Sequence, residues 1–284
     1  MKNTKTDLQE PVIGESEILR VADRYFNSRN VALVTGAASG IGRAVVVALA
    51  LNGVTVAGAD IDEEGGKKTV GIARDLGGHA VFIKTDLAKD GEIDHFVEEA
   101  SSYGTIRFLA NIAGTQHIDS VEDFPMSTYD LMQRVMLRAP FYLSKLCIPH
   151  MRRSEDGVGV VGNMCSVHGH IATKNKPAYN ITKFGLRGLT QSIAAEGKGK
   201  IRSFTVSVGY VKTPLALDQI PDQARQRGIT PEEVVSDVML GRCQVKEMMS
   251  PVEVANLFTI GFSNLGKYLV GGDLLFDGGM VKTY

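Results

Sequence analysis

Residues 31 to 42 read VALVTGAASGIG. Val31 to Thr35 is a short β-branched apolar run, so it reads as a buried strand. Gly36, Gly40 and Gly42 then break the pattern just ahead of an alanine-rich helical stretch. Glycines here let the backbone turn sharply and approach a pyrophosphate, whose charge is stabilised by free N–H groups at the start of the helix. A plain strand-to-helix turn would use the same residues, and Asp60 separates the two readings. It closes the second apolar run, 18 residues beyond Gly42, where a carboxylate can accept hydrogen bonds from both ribose hydroxyls and repel a 2′-phosphate. The combination predicts a dinucleotide site that takes NAD rather than NADP. Arg43 is the one nearby residue that works against the second half of that expectation.

Outward from this loop, short β-branched runs alternate with longer helical segments, the pattern of βαβ units in a parallel sheet covered on both faces. Strands are expected over Val31 to Thr35, Val54 to Asp60, Ala80 to Lys84, Arg107 to Asn111, Val158 to Cys165, Ile201 to Ser207 and Asp273 to Phe276. The fold class is therefore α/β, a single Rossmann-type, doubly wound parallel sheet of about seven strands, with helices on both faces and a small helical lid. Residues 30–284 form one domain. Residues 1–29 read as an N-terminal extension that packs on it or on a neighbouring subunit, with Ile18, Leu19, Ala22, Tyr25 and Phe26 at helical spacing after a cap at Ser16. Residues 213–249 look inserted before the last helix. They carry Thr230-Pro-Glu-Glu233, a capping box with proline at the first helical position, and Ser250-Pro-Val-Glu253 repeats the device at the next helix. A helical cover there would exclude water from a reacting centre.

The chemistry concentrates between Val160 and Leu189. Val160 and Val161 lead a strand into Ser166, a polar loop follows, and Pro177 opens a helix on which Tyr179 and Lys183 stand four residues apart on one face. A free phenol, of pKa ~10, is a poor proton acceptor near neutrality. An ammonium ~4 Å away, at an effective dielectric of ~20, is worth roughly 4 kcal/mol, enough to bring that value down by about three pH units. The pair could then exchange a proton with an alcohol or ketone whose oxygen Ser166 holds. Tyr-x-x-x-Lys arises by chance in many helices; its place after a dinucleotide loop gives it weight.

At 284 residues, 44% hydrophobic and 22% charged, the chain is an ordinary globular one. A formal net charge of -1 gives no reason to expect nucleic acid or an anionic membrane as partner. No apolar stretch is long enough to span a bilayer, and the charged N-terminal residues lack the apolar core of a secretory signal. Three widely spaced cysteines, Cys147, Cys165 and Cys243, fit no metal-ligand pattern and leave an odd thiol under any pairing. The expected setting is a reducing cytoplasm.

Taken together, TGAASGIG, Asp86 after the third strand, Asn111-Ile-Ala-Gly114, Ser166, Tyr179-x-x-x-Lys183 and Phe276-Asp-Gly-Gly279 resemble the short-chain dehydrogenase/reductase family in order and spacing, from about residue 30 to the C-terminus. The resemblance implies Ser166, Tyr179 and Lys183 as the catalytic residues, with Tyr179 and Lys183 also cofactor contacts and Lys183 on the nicotinamide ribose. It implies NAD contacts at Gly36, Ser39, Gly40, Ile41, Gly42 and Asp60. Asp86 falls at the adenine, Asn111 to Gly114 on the adenosine side, and Gly209, Val211 and Thr213 complete the set. It also implies a homotetramer that pairs helices near Phe124 to His150 and Pro177 to Glu196, with the apolar Met280-Val281 suited to an interface.

Within the family, Gly114-Thr-Gln116-His117-Ile, the loop from Ser166 through His168 and Lys176 to Tyr179, and Thr213-Pro-Leu-Ala-Leu-Asp-Gln219-Ile are similar to the 3-hydroxybutyrate dehydrogenases. That similarity places Gln116, His168, Lys176 and Gln219 around a substrate carboxylate. An ammonium, two amides and an imidazole are sensible donors to such a group. The implied reaction is NAD-linked interconversion of (R)-3-hydroxybutyrate and acetoacetate. Three positions depart from the family pattern: Met136 replaces the asparagine that completes a catalytic tetrad, Ile112 the second asparagine of Asn-Asn-Ala-Gly, and Val208 the proline of Pro-Gly. Two other readings therefore stay open, a dehydrogenase for another hydroxyacid or hydroxyacyl substrate, and a catalytically weak binding or partner subunit.

Overall fold

A computed structural model describes residues 9 to 283. The first strand, β1 (Asn30–Thr35), runs through the Gly-rich loop into helix α1 (Gly40–Leu51). After it come β2 (Thr55–Asp60), α2 (Glu63–Asp75), β3 (Ala80–Lys84), α3 (Asp90–Ser101) and β4 (Thr105–Asn111). Helices α4 (Met126–Gln133) and α5 (Ala139–Arg153) are joined without a break by a wider π turn, Arg134–Arg138. Then follow β5 (Gly159–Met164), α6 (Pro177–Glu196) and β6 (Ile201–Val208). Three short helices, α7 (Pro214–Leu217), α8 (Ile220–Arg227) and α9 (Pro231–Glu233), precede α10 (Pro251–Phe262) and β7 (Gly272–Phe276). The seven strands form one parallel sheet in the order β3-β2-β1-β4-β5-β6-β7. Connections reverse direction between β1 and β4, which opens a crevice at the carboxyl ends of those strands, where α/β sheets take their ligands.

Alternation along β1 sorts its side chains between two cores. Ala32 and Val34 pack with α1 and α10, whereas Val31 and Leu33 pack with α3 and α5. Every residue of β1 is buried, so a strand without polar alternation is what this central position demands. Aromatic rings reinforce the first core, with Phe108 (tilted) and Phe204 (edge-on) each 5.3 Å from Phe262 between centroids.

The N-terminal segment differs from the expected helix. Glu15–Glu17 makes a single 3₁₀ turn, Ser16 lies inside it rather than capping it, and the chain beyond runs as an irregular strap. Remote side chains take the backbone groups that a helix would need. Leu19 N–H donates to Asn256 Oδ1 at 2.8 Å, Val21 N–H to Asn52 Oδ1 at 2.8 Å, and Asn52 Nδ2 donates to Leu19 O at 2.9 Å. Ile18 and Phe26 of the strap join the core, Phe26 standing 5.7 Å from Phe108. The part of the extension before residue 9 lies outside the described residues.

Between β6 and α10, α7 to α9 and a second π turn, Val234–Met239, build a small apolar cluster of their own around Ile220, Val234 and Met239. Both expected capping boxes are formed: Glu233 N–H donates to Thr230 Oγ1 and Glu253 N–H to Ser250 Oγ, each at 3.2 Å. Among the described residues no helix is long and apolar enough to cross a membrane, and Cys147, Cys165 and Cys243 are free and buried.

Candidate active site

A cleft of about 530 Å³ opens at the crevice between β1 and β4 and extends beneath the segment after β6. Its floor depends on glycine. A Cβ on Gly42 would fall 1.9 Å from the Gly36 carbonyl oxygen, and one on Gly36, where φ is +71°, 2.9 Å from Ala113 Cα. Thr35 Oγ1 accepts the Ile112 and Ala113 N–H groups at 2.9 and 3.1 Å and ties the ends of β1 and β4 together. Gly36, Ser39, Gly40, Ile41 and Gly42 line the cleft at the start of α1, with Asp60, Asp86 and Gly114 beside them and Gly209, Val211 and Thr213 opposite. The Asp60 carboxylate accepts Ala38 N–H at 3.1 Å and Asp62 N–H at 3.0 Å through different oxygens, and each oxygen keeps a lone pair for a further donor.

Asn111 is the exception among the expected cofactor contacts. Its side chain points beneath the cleft and donates to Asn163 Oδ1 at 2.8 Å, while Asn163 donates to Thr190 Oγ1 at 2.8 Å. A buried chain of amides fastens β4, β5 and α6, and the turn after Asn111, not Asn111 itself, forms the wall.

Ser166, Tyr179 and Lys183 come together as expected, all lining the cleft. Lys183 Nζ donates to the Met164 carbonyl at 2.8 Å and stands 5.1 Å from the centre of the Tyr179 ring. The electrostatics differ from the expectation. Burial pushes the Tyr179 phenol up, the Cys165 thiol adds to the rise, and the Ser166 hydroxyl opposes it. Lys183 is itself pushed down to about 8 by burial. Desolvation disfavours both the phenolate and the ammonium and is the largest cause of each shift. Tyr179 is therefore a protonated phenol at neutral pH, the form that donates to a ketone oxygen.

The four expected carboxylate contacts also line the cleft. His168 is pushed down to about 4, by burial first and then by Lys176 and Lys183, so it is neutral near pH 7. Its Nδ1 shares a 3.1 Å hydrogen bond with Ser166 Oγ, and its Nε2 a 2.9 Å bond with Thr173 Oγ1. That geometry orients Ser166 and leaves the imidazole little capacity for a further partner. Lys176 is pushed down to about 8 by burial alone, without a carboxylate to hold it up. Gln116 Nε2 is buried and has no hydrogen-bond partner among the described residues. Gln219 reaches the cleft from the start of α8 and donates to the Leu215 carbonyl.

Met136 sits in the first π turn, 1% exposed, against Met132 and Ala178 and beside Tyr179. Ile112 and Val208 line the cleft and belong to the core as well. Leu131, Val135, Tyr210, Leu215 and Met239 are wall residues that sequence reasoning missed. Leu131 and Val135 show i,i+4 spacing, a signal shared with any amphipathic helix. Met239 carried none, since the fold of the covering segment alone brings it over. No cluster of three metal-binding side chains occurs among the described residues.

The family model described as short chain dehydrogenase matches residues 30–224. A "D-beta-hydroxybutyrate dehydrogenase" of Rhizobium meliloti (strain 1021) is 34% identical over 252 residues, which covers 87% of this chain and 97% of that one. A "3-alpha-(or 20-beta)-hydroxysteroid dehydrogenase" of Mycobacterium tuberculosis (strain CDC 1551 / Oshkosh) is 32% identical over 253 residues, 88% and 89% of the two chains. Among solved structures, a short-chain type dehydrogenase/reductase from Mycobacterium marinum superposes with a TM-score of 0.81 at 23% identity, covering 91% of this chain and 98% of its own. At that identity the likeness speaks to the fold.

Proposed function

Since the chain belongs to the short-chain dehydrogenase family, and is therefore an oxidoreductase of CH–OH groups, we propose that it interconverts (R)-3-hydroxybutyrate and acetoacetate with NAD. The observation that carries the substrate is Lys176, a shielded cation that has no counter-charge among the described residues, in the same cleft as Ser166 and Tyr179. The orphaned Gln116 Nε2 supplies a second donor toward a small carboxylate. Support for the cofactor comes from the glycine cradle, which has no room for a Cβ at Gly42, and from Asp60 at the end of β2.

NAD, when bound, supplies the hydride acceptor and a positive ring whose charge favours the phenolate. Ser166, oriented by His168, holds the substrate oxygen. In reduction Tyr179 gives its phenolic proton to that oxygen, and in oxidation it takes the proton back. Lys183, fixed by the Met164 carbonyl, is placed to hold the nicotinamide ribose and to stabilise the phenolate that reduction leaves. Met239 and Leu215 of the segment after β6 add apolar surface to the cleft wall.

Met136 favours a second reading, a catalytically weak partner subunit, because its thioether cannot give the hydrogen bond of the tetrad asparagine. A steady-state assay with NAD and a panel of 3-hydroxyacids, beside a cofactor titration, separates the two. Turnover greatest with (R)-3-hydroxybutyrate supports the proposal, and NAD binding without turnover of any hydroxyacid refutes it. For the assembly we infer a homotetramer, supported by Phe141, Ile181 and Phe184, which are exposed at 58%, 48% and 46% on α5 and α6.

A further inference from the structure

The N-terminal strap sends one carboxylate back onto the Gly-rich loop. Glu10 Oε1 accepts Gly40 N–H at 2.7 Å, and Oε2 lies 3.5 Å from Arg43 Nη1. Both side chains are largely shielded, at 23% and 12% exposure. The other two Arg43 nitrogens are engaged as well: Nε donates to Thr69 Oγ1 at 3.1 Å and Nη2 donates to the Ala38 carbonyl. Thr69 in turn donates to Ala37 O at 2.8 Å, so the guanidinium is laced to one side of a loop whose other side faces the cleft. Asp60 takes the Ala38 N–H of the same loop. Asp60 and Gly40 line the cleft where an adenosine ribose would lie, and Arg43 and Glu10 stand behind the same loop, with the guanidinium charge balanced by Glu10.

We propose that Glu10 is a specificity residue for the cofactor, acting through Arg43 to disfavour a 2′-phosphate. This rests on the NAD reading of Asp60. Neutralising Arg43 and occupying the Gly40 N–H deprive a 2′-phosphate of the cation and of a donor on that side of the loop. A ribose hydroxyl carries no charge and pays none of this, and the pyrophosphate is common to both dinucleotides, so its interaction cancels from their ratio. Arg43 on the sequence alone argued for NADP; Glu10 reverses its effect.

The test is equilibrium titration of the full chain with NADH and NADPH by calorimetry, for wild type, Glu10→Gln, Glu10→Asp, Arg43→Ala and the Glu10→Gln/Arg43→Ala pair. Glu10→Gln is expected to shift the Kd ratio about tenfold toward NADPH, the size of one charge-assisted contact between partly shielded groups. Arg43→Ala alone should change the ratio less than about twofold, and in the pair it should erase the gain, since the released cation is then gone. Glu10→Asp keeps the charge and should stay near wild type. A wild type that prefers NADPH overturns the Asp60 reading and this proposal with it. If wild type prefers NADH and Glu10→Gln leaves the ratio unchanged, or tightens both cofactors equally, the role of Glu10 fails while the NAD reading stands. A shift with Glu10→Asp as large as with Glu10→Gln would assign the effect to packing and also overturn it.

Discussion

Lys176 offers the sharpest test of substrate identity, because its burial makes opposite demands on stability and on binding. The fall from 10.5 to about 8 corresponds to about 3 kcal/mol given up by the charged amine on folding. Water in the cleft screens part of that, which leaves about 1–3 kcal/mol. The sign follows from the direction of the shift. A lysine whose folded value is depressed destabilises the fold fully below the lower value, and the penalty fades as pH rises from about 8 to 10.5. Lys176→Met should therefore raise Tm at pH 7 by about 2–8 °C in a chain of this size. The same change removes a charge-assisted contact with the substrate carboxylate, worth about 1.5–3 kcal/mol or roughly ten- to a hundredfold in kcat/KM. Methyl 3-hydroxybutyrate, which has no carboxylate, should be handled about equally by wild type and variant. In wild type the acid-to-ester ratio of kcat/KM should fall as pH rises through about 8, where Lys176 loses its proton. Lys183 also titrates near 8, but it acts on both substrates and cancels from the ratio. Equal losses for acid and ester, or a ratio flat from pH 7 to 9, would show that Lys176 only shapes its loop.

Tyr179→Phe should lower kcat by about a thousandfold or more while the Kd for NADH stays within about twofold, since only the proton-carrying oxygen is removed; more than a tenth of the activity left over would exclude Tyr179 as the proton carrier. Asp60→Ala should move the Kd ratio toward NADPH by about tenfold, through loss of both the ribose contacts and the repulsion. Finding that wild type already binds NADPH more tightly would contradict that account. Light scattering at micromolar concentration should give four times the mass of one chain, and Phe141→Glu should lower it. A wild-type monomer would remove the tetramer.

Much of the fold was legible because its strands are short apolar runs that alternate with longer helical segments, and the central ones, such as β1 and β5, are buried along their whole length. The seven runs read from composition lie within two residues of β1 to β7 at each end. The capping boxes at Thr230 and Ser250 were legible for a chemical reason: each is closed by side chains three residues apart. The strap was not. Its backbone is claimed by Asn52 and Asn256, 31 and 237 residues away from the groups they bind, and no local pattern carries that information. The placement of the Asn111 side chain was illegible for a related reason: it depends on the register that sets Asn111 beside Asn163 across β4 and β5, where the two amides pair. Glu10 lies 30 residues before the glycine it binds and had no signal at all.

The remaining gap lies in the site chemistry, where residue types give the participants and burial gives the outcome. Tyr179 beside Lys183 predicts a depressed phenol if Coulomb attraction wins, yet Tyr179 packs in an apolar cluster with Met132 and Met136, and desolvation raises the phenol instead. Met136 contributes to that result. An asparagine in its place would bring an amide next to Tyr179, at a cost of about 1–3 kcal/mol if any of its groups went unpaired. The thioether leaves the floor apolar. Polar connection to the outside runs on the opposite side, from Ser166 through both nitrogens of His168 to Thr173 on the exposed loop before α6. A protonated phenol over an apolar floor is poised to donate, which suits reduction of a ketone in the resting protein. Oxidation then depends on a neighbouring positive charge to favour the phenolate, and proton removal by Tyr179 should be efficient only once NAD is in place.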